Sequence, residues 1–211
     1  MPNWCNNFIQ ISHPDTAKME ALAQAVREGN FLKHIIPVPR ELTDTVAGSV
    51  GEDKRAEHEA QMARNIEKYG SKDWYDFCVS HWGTKWDVDP YDPEDVKVEN
   101  NSIHFGFDSA WSPPVGIYEE MLNQGYTVDA MYYEPGMAYC GRYFEGYDNY
   151  WEIGGMSADD VADTIDPDID EQFGITECMR EYEEQERMDE ELYKWTKEGG
   201  EAKGLELKAN E

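Results

Sequence analysis

Apolar and polar positions alternate in Phe8-Ile9-Gln10-Ile11-Ser12, which predicts a short strand. Asp15 then opens a helical stretch in which Met19, Leu22, Ala23 and Val26 recur at three- and four-residue spacing, and Gly29-Asn30 closes it. Residues 31–39 hold Ile35, Ile36 and Val38 but also two prolines, and read as an extended segment at a sheet edge or on the core surface. Residues 40–52 have loop chemistry. From Glu52 to Tyr69 a second, mostly polar helix is predicted, with a thin apolar stripe of Ala56, Ala60, Met62, Ala63 and Ile66. Residues 40–73 therefore look like an insertion.

From Val96 the period changes to two. Val96 and Val98, a turn at Asn100-Asn101, and then Ile103, Phe105 and Phe107 form a hairpin signal. Pro113-Pro114 starts a helix carrying Ile117, Tyr118, Met121 and Leu122. Three strand-like runs follow, 126–133, 137–144 and 147–153, separated by the turn residues Glu134-Pro135-Gly136 and Glu145-Gly146. This order predicts an α+β domain, helices on one face of an antiparallel sheet, over residues 1–153. Beyond Gly154-Gly155, Ser157 and Asp160 have capping-box spacing, and Thr176 to Lys197 reads as a longer helix. Residues 154–211 are thus expected to form an acidic helical tail, with 199–211 frayed.

The charge sharpens this division. The chain of 211 residues has 45 Asp and Glu against 18 Lys and Arg, a net charge of −27, with 40% hydrophobic and 13% aromatic residues. Its aromatic content excludes an acidic disordered polymer. Its sign argues against direct nucleic-acid binding and against attraction to anionic membranes. Through residue 150 there are 25 acidic and 12 basic residues; from 151 onward there are 20 and 6. The opening seven residues lack the basic and apolar regions of a secretory signal, and no stretch has the length of a membrane span, so a cytoplasmic protein is expected. Cys5, Cys78, Cys140 and Cys178 show no Cys-x-x-Cys spacing and read as reduced thiols.

Three separated motifs carry a family resemblance: Met1-Pro-Asn-Trp-Cys-Asn-Asn7, Trp82-Gly-Thr-Lys-Trp-Asp87 and Phe107-Asp-Ser-Ala-Trp-Ser-Pro-Pro114. Together they resemble the YubB-like ferredoxin-like domain proteins of phages and plasmids, and Tyr133-Glu-Pro-Gly136 with Gly141 is similar to that family's closing strand pair. The resemblance covers residues 1–153 and implies a ferredoxin-like β-α-β-β-α-β path without an iron–sulfur cluster. It also implies a mobile-element origin, in which case the setting is the host cytoplasm. It brings no reaction and no catalytic residues.

Four chemical candidates emerge. Asn3, Trp4, Trp82, Lys85, Trp86, Asp87, Trp111 and Glu134 come from distant segments and could line a cleft that stacks a planar, nucleotide-like ligand. The alternative is a structural loop in which the tryptophans are core and Lys85 pairs with Asp87 or Glu134. Lys85 stands alone as the Lys or Arg between Lys72 and Lys97. His81 could serve as acid or base, but no nucleophile elbow accompanies it. Asp166, Asp168, Asp170 and Glu177 match the oxygen-ligand spacing of a calcium loop, although Glu171 occupies the position that needs glycine. An acidic inter-helix loop is the simpler reading, and no metal or cofactor is expected.

The last candidate is the acidic surface. Spread evenly, the charge occupies about 370 Å² per unit on a folded chain of this mass, against about 100 Å² on duplex DNA. Mimicry of nucleic acid therefore needs the acids gathered, and Glu177, Glu181, Glu184 and Glu191 on the tail helix could gather them. The leading expectation is a non-enzymatic phage or plasmid accessory protein that binds and blocks a host protein with a basic surface, as counter-defence by nucleic-acid mimicry. The alternative is a small-ligand module using the Trp82–Asp87 loop, and the sequence leaves the oligomeric state open.

Overall fold

The computed structural model describes residues 3–197, so the stretch 199–211 that is expected to fray lies outside the described residues. The chain divides into two compact units, Met1–Gly154 and Gly155–Glu211.

The first unit begins with β1 (Trp4–Ser12) and α1 (Thr16–Arg27), whose N-cap Asp15 accepts from Ala17 N at 2.9 Å. Next come α2 (Phe31–Ile35), α3 (Arg40–Thr43), α4 (Arg55–Tyr69) and α5 (Trp74–His81). Then β2 (Ser102–Ala110), α6 (Val115–Asn123), β3 (Thr127–Glu134), β4 (Tyr139–Phe144) and β5 (Tyr147–Glu152) complete it. The five strands form one antiparallel sheet in the order β2-β1-β3-β4-β5.

Register explains the core. Ile9 stands opposite Phe105 on one side and Ala130 on the other, and Ile11 stands opposite Ile103 and Val128. Because side chains alternate across a strand, these residues share one face. Met19, Leu22 and Val26 of α1 and Ile117, Tyr118 and Met121 of α6 join them in a single buried cluster. Each such side chain contributes roughly 1.5–3 kcal/mol by leaving water. Gly116 lets α6 approach the end of α5, because a Cβ there would meet the His81 carbonyl.

Three local expectations are corrected. Residues 31–35 form a helix rather than an extended segment, because the carboxylate of Asp87 accepts from Leu32 N and Lys33 N at its start. The stripe on α4 does not face a core: Ile66 is exposed, and the one buried residue of that helix is Asn65. Asn65 Nδ2 donates to Thr45 Oγ1 at 2.9 Å and to the Lys72 carbonyl at 2.8 Å, so a polar anchor seats the helix. The hairpin's first arm is reduced to isolated bridges, Pro90 to Phe107 and Glu99 to Ser102, although Asn100 and Asn101 make the turn with positive φ of 51° and 60°.

The second unit contains α7 (Ala158–Thr164), α8 (Pro167–Phe173) and α9 (Ile175–Lys197). Ser157 and Asp160 form a capping box on α7. Asp159 pairs with Arg180 at 3.3 Å and Glu183 accepts from Ala158 N at 2.8 Å, which ties α7 to α9. Among the described residues no helix is long and apolar enough to cross a membrane.

Candidate functional site

The eight residues expected to share a cleft separate into two groups. Trp82 is core: it is 1% exposed, and its indole N–H donates to the Ile36 carbonyl at 3.0 Å. Asp87 is a cap, accepting from Leu32 N at 2.8 Å, Lys33 N at 3.1 Å and its neighbour Val88 N at 3.0 Å. Burial outweighs these donors and the Lys33 ammonium, lifting its carboxyl above the ordinary aspartate value. Glu134 is buried inside the β3–β4 turn, where it accepts from Gly136 N at 3.0 Å and Met137 N at 2.5 Å. Lys85 pairs with neither carboxylate. The ion-paired loop expected from the sequence is therefore corrected, and the expected cleft is assembled only in part: Trp82, Lys85, Trp86 and Asp87 line one cleft together, whereas Glu134 lies in the β3–β4 turn. Trp82, Asp87 and Glu134 build the scaffold.

What they support is an exposed aromatic cluster. The Lys85 ammonium lies 4.2 Å from the centre of the Trp86 ring and 5.5 Å from those of Tyr75 and Trp111. Trp4 adds a fourth ring, 6.3 Å from Trp86 and tilted by 35°. Trp4, Trp86 and Trp111 are each about two-fifths exposed or more. Cation–π contact positions the ammonium without neutralising it.

The backbone beneath this cluster is fixed. Trp111 has a φ of 68°, a region bulky residues rarely enter, and its backbone is held on both sides. Its N–H donates to the Asn3 carbonyl at 2.9 Å, and its own carbonyl accepts from Tyr139 Oη at 2.7 Å. Ser112 Oγ donates to the Gly83 carbonyl at 2.5 Å, and Gly83 itself has a φ of 86°. Asn3 packs against the β3–β4 turn at Gly136, and the three sequence motifs meet through hydrogen bonds to backbone carbonyls, from Trp111 N to Asn3 and from the Ser112 and Thr84 hydroxyls to Gly83 and Ala110.

Two clefts flank Lys85. One of about 570 Å³ is lined by Met62, Lys72, Trp74, Tyr75 and Lys85, among others. A second of about 390 Å³ is lined by Lys33, Val38, Trp74, Lys85 and Trp86, among others. Lys72, Trp74 and Tyr75 were not legible as site residues, and their signal was slight: an aromatic pair directly after the α5 N-cap Asp73.

The remaining candidates have structural duties. His81 stacks on Phe77 at 4.0 Å, with Nδ1 3.0 Å from the Phe77 carbonyl. The calcium reading is corrected, because residues 167–173 are helix rather than loop. Asp166 caps that helix by accepting from Asp168 N at 3.0 Å, and Asp170 accepts from Thr176 N at 2.8 Å. No group of three or more His, Cys, Asp or Glu arranged to hold a metal occurs among the described residues. Burial pushes the thiols of Cys5 and Cys78 up to about 12, whereas Cys178 is exposed.

Glu177, Glu181, Glu184 and Glu191 all lie exposed on α9. At 100° per residue they fall within one arc of the helix, together with Met188, Leu192 and Trp195. Those three apolar side chains are 52%, 59% and 46% exposed.

Fold and site define an α+β protein with one open antiparallel sheet, an aromatic and lysine cluster beside it, and a separate acidic helical unit. No family model matches the chain, and no curated protein does. Among solved structures, the crystal structure of a protein api92 from Yersinia pseudotuberculosis, assigned to the family-model DUF1281, is similar over 74% of this chain and 99% of that chain. The identity is 13% and the TM-score 0.36, a likeness that supports no statement about function.

Proposed function

We propose that the chain is a non-enzymatic accessory protein of a phage or plasmid, acting in the host cytoplasm, which binds and blocks a host protein through α9. The observation that carries this reading is the mixed face of α9. Four glutamates and an exposed Met188, Leu192 and Trp195 share one arc of this helix. An apolar stripe in water costs free energy that only a partner removes, and the flanking carboxylates select a basic one. The partner is therefore a groove with apolar walls and a Lys/Arg rim.

Charge density refines the mimicry idea. α9 is about 34 Å long and carries eight Asp and Glu but also four Lys and Arg, whereas duplex DNA of that length carries about 20 charges. Imitation of a phosphate ladder would draw on residues 155–179, which hold eight Asp and Glu and no Lys or Arg. The two segments divide the work: α7 and α8 attract, and α9 docks.

The ferredoxin-like path belongs to the same proposal. β2, α6 and β3 form a split unit with β1 between its strands, and residues 90–99 form two isolated bridges rather than a strand; the Pro90 to Phe107 bridge and the Tyr91 hydrogen bond to Asp108 reach along β2. On this reading those residues are the remnant of the path's second strand, and β4–β5 is an added hairpin.

The test uses the full chain as bait in host lysate, beside a variant with the four glutamates changed to Gln and one with Met188, Leu192 and Trp195 changed to Ser. A basic protein retained by the native chain, released by salt and lost with both variants is the expected result. Its association rate with the native chain falls steeply with salt, and less so with the four-Gln variant. Equal retention by all three baits would overturn the proposal.

A further inference from the structure

We propose that the 570 Å³ cleft beside Lys85 binds a planar aromatic anion of nucleoside monophosphate size, a function separate from that of α9. The first observation is electrostatic. Residues 31–86 carry eight Lys and Arg against nine Asp and Glu, a net of −1 in a chain whose total is −27. An anion repelled by the rest of the surface meets a nearly neutral region here.

The second observation is the state of the two lysines. Lys72 and Lys85 line the same cleft, and neither ammonium has a carboxylate within 4.0 Å among the described residues. Asp73, the acid that lines the cleft with them, is 2% exposed, and its carboxylate accepts from Asp76 N at 2.9 Å as the cap of α5. Two uncompensated cations thus face one space. Three rings hold Lys85 in place, so its side chain needs little further ordering to meet an anion.

The third observation is the wall. Trp74 and Tyr75 meet edge to face at 6.0 Å, and Met62 lines the same cleft, giving apolar surface for a flat ring. The cleft's volume falls in the range of small-molecule sites. Two cations exclude a cationic ligand, and the apolar walls are wasted on a bare inorganic anion. A phosphate on Lys72 and Lys85 with its base against Trp74 and Tyr75 uses both. The residues that carry this chemistry are Lys72, Trp74, Tyr75 and Lys85, whereas Trp82 and Asp87 of the central motif hold the frame.

Calorimetric titration of the full chain at low salt with AMP, UMP, adenosine and inorganic phosphate tests this. A nucleoside monophosphate should bind at one site, with adenosine and phosphate each at least about tenfold weaker. Lys85→Met and Lys72→Met, which keep the apolar stems, should each weaken it about tenfold, equivalent to roughly 1.4 kcal/mol. Lys72 is exposed, so its variant folds even if that of Lys85 does not, and near-ultraviolet circular dichroism checks both. No heat with either nucleotide at millimolar concentration, unchanged affinity in the folded Lys72 variant, or phosphate binding as tightly as AMP would overturn the proposal.

Discussion

Asp87 Oδ1 accepts a hydrogen bond from Leu32 N at 2.8 Å, so one residue of the central Trp-Gly-Thr-Lys-Trp-Asp motif caps a helix 55 residues earlier in the chain. Asp87→Ala should therefore destabilise the first unit by about 1–2 kcal/mol through the loss of this cap. Asp87→Asn keeps one acceptor oxygen and should cost less. Urea unfolding of both variants measures the order, and an alanine variant as stable as the native chain would remove the capping role.

Asn65 is the polar anchor of α4. Asn65→Leu leaves Thr45 Oγ1 and the Lys72 carbonyl without its amide and should cost about 1–3 kcal/mol, although the replacement is more apolar. Backbone amide exchange across residues 45–72 should quicken in the same variant, because the helix and its flanking loops lose their common tie.

Two carboxyls should respond to pH with opposite sign. Lys68 donates to Glu41 at 2.8 Å and, by this bond, holds the Glu41 carboxyl down at about 2. Its contribution to stability is complete above the ordinary glutamate value of 4.5 and is lost as pH falls toward 2. Asp87 is shifted upward by burial, so the folded chain holds that proton more readily than the unfolded one, and its contribution weakens as pH rises above 3.8. Carboxyl NMR titration resolves both, and Lys68→Met should raise the Glu41 value toward the ordinary range, because the largest of the contributions that lower it is lost.

Thiol reactivity follows from burial. Cys178 is exposed, whereas Cys5, Cys78 and Cys140 are buried. One thiol per native chain should react quickly with a chromogenic disulfide reagent, and four should react after unfolding. Two or more fast thiols in the native chain would contradict the burial of Cys5, Cys78 and Cys140.

Legibility in the sequence tracked locality. The alternation of Ile103, Phe105 and Phe107, the Asp15 cap and the Glu145-Gly146 turn act within a few residues, and each corresponds to an element of the sheet or its helices. Residues 31–35 misled because their helix is stabilised by Asp87, which no local window contains. The α4 stripe misled because Asn65, a residue that hydropathy scores as surface, holds the helix. At the site, the motif spacing pointed to Lys85 and the tryptophans, but nothing in it separated Trp86, which is displayed, from Trp82, which is core. Lys72 and Tyr75 reach the Lys85 cleft only through the fold of the segment that carries α4 and α5.

The outer strand β5 pairs with β4 alone and exposes Tyr147 and Tyr150 at 75% and 49%. Such a rim is a template on which another chain can add a strand. Here Asp148 and Glu152 sit on the rim, and the whole molecule shares their sign. Colloidal solubility thus guards the open edge by mutual repulsion between copies. Acidification toward the isoelectric point near 4.3 removes that guard, and aggregation on souring should begin strand to strand at β5 before the core itself unfolds.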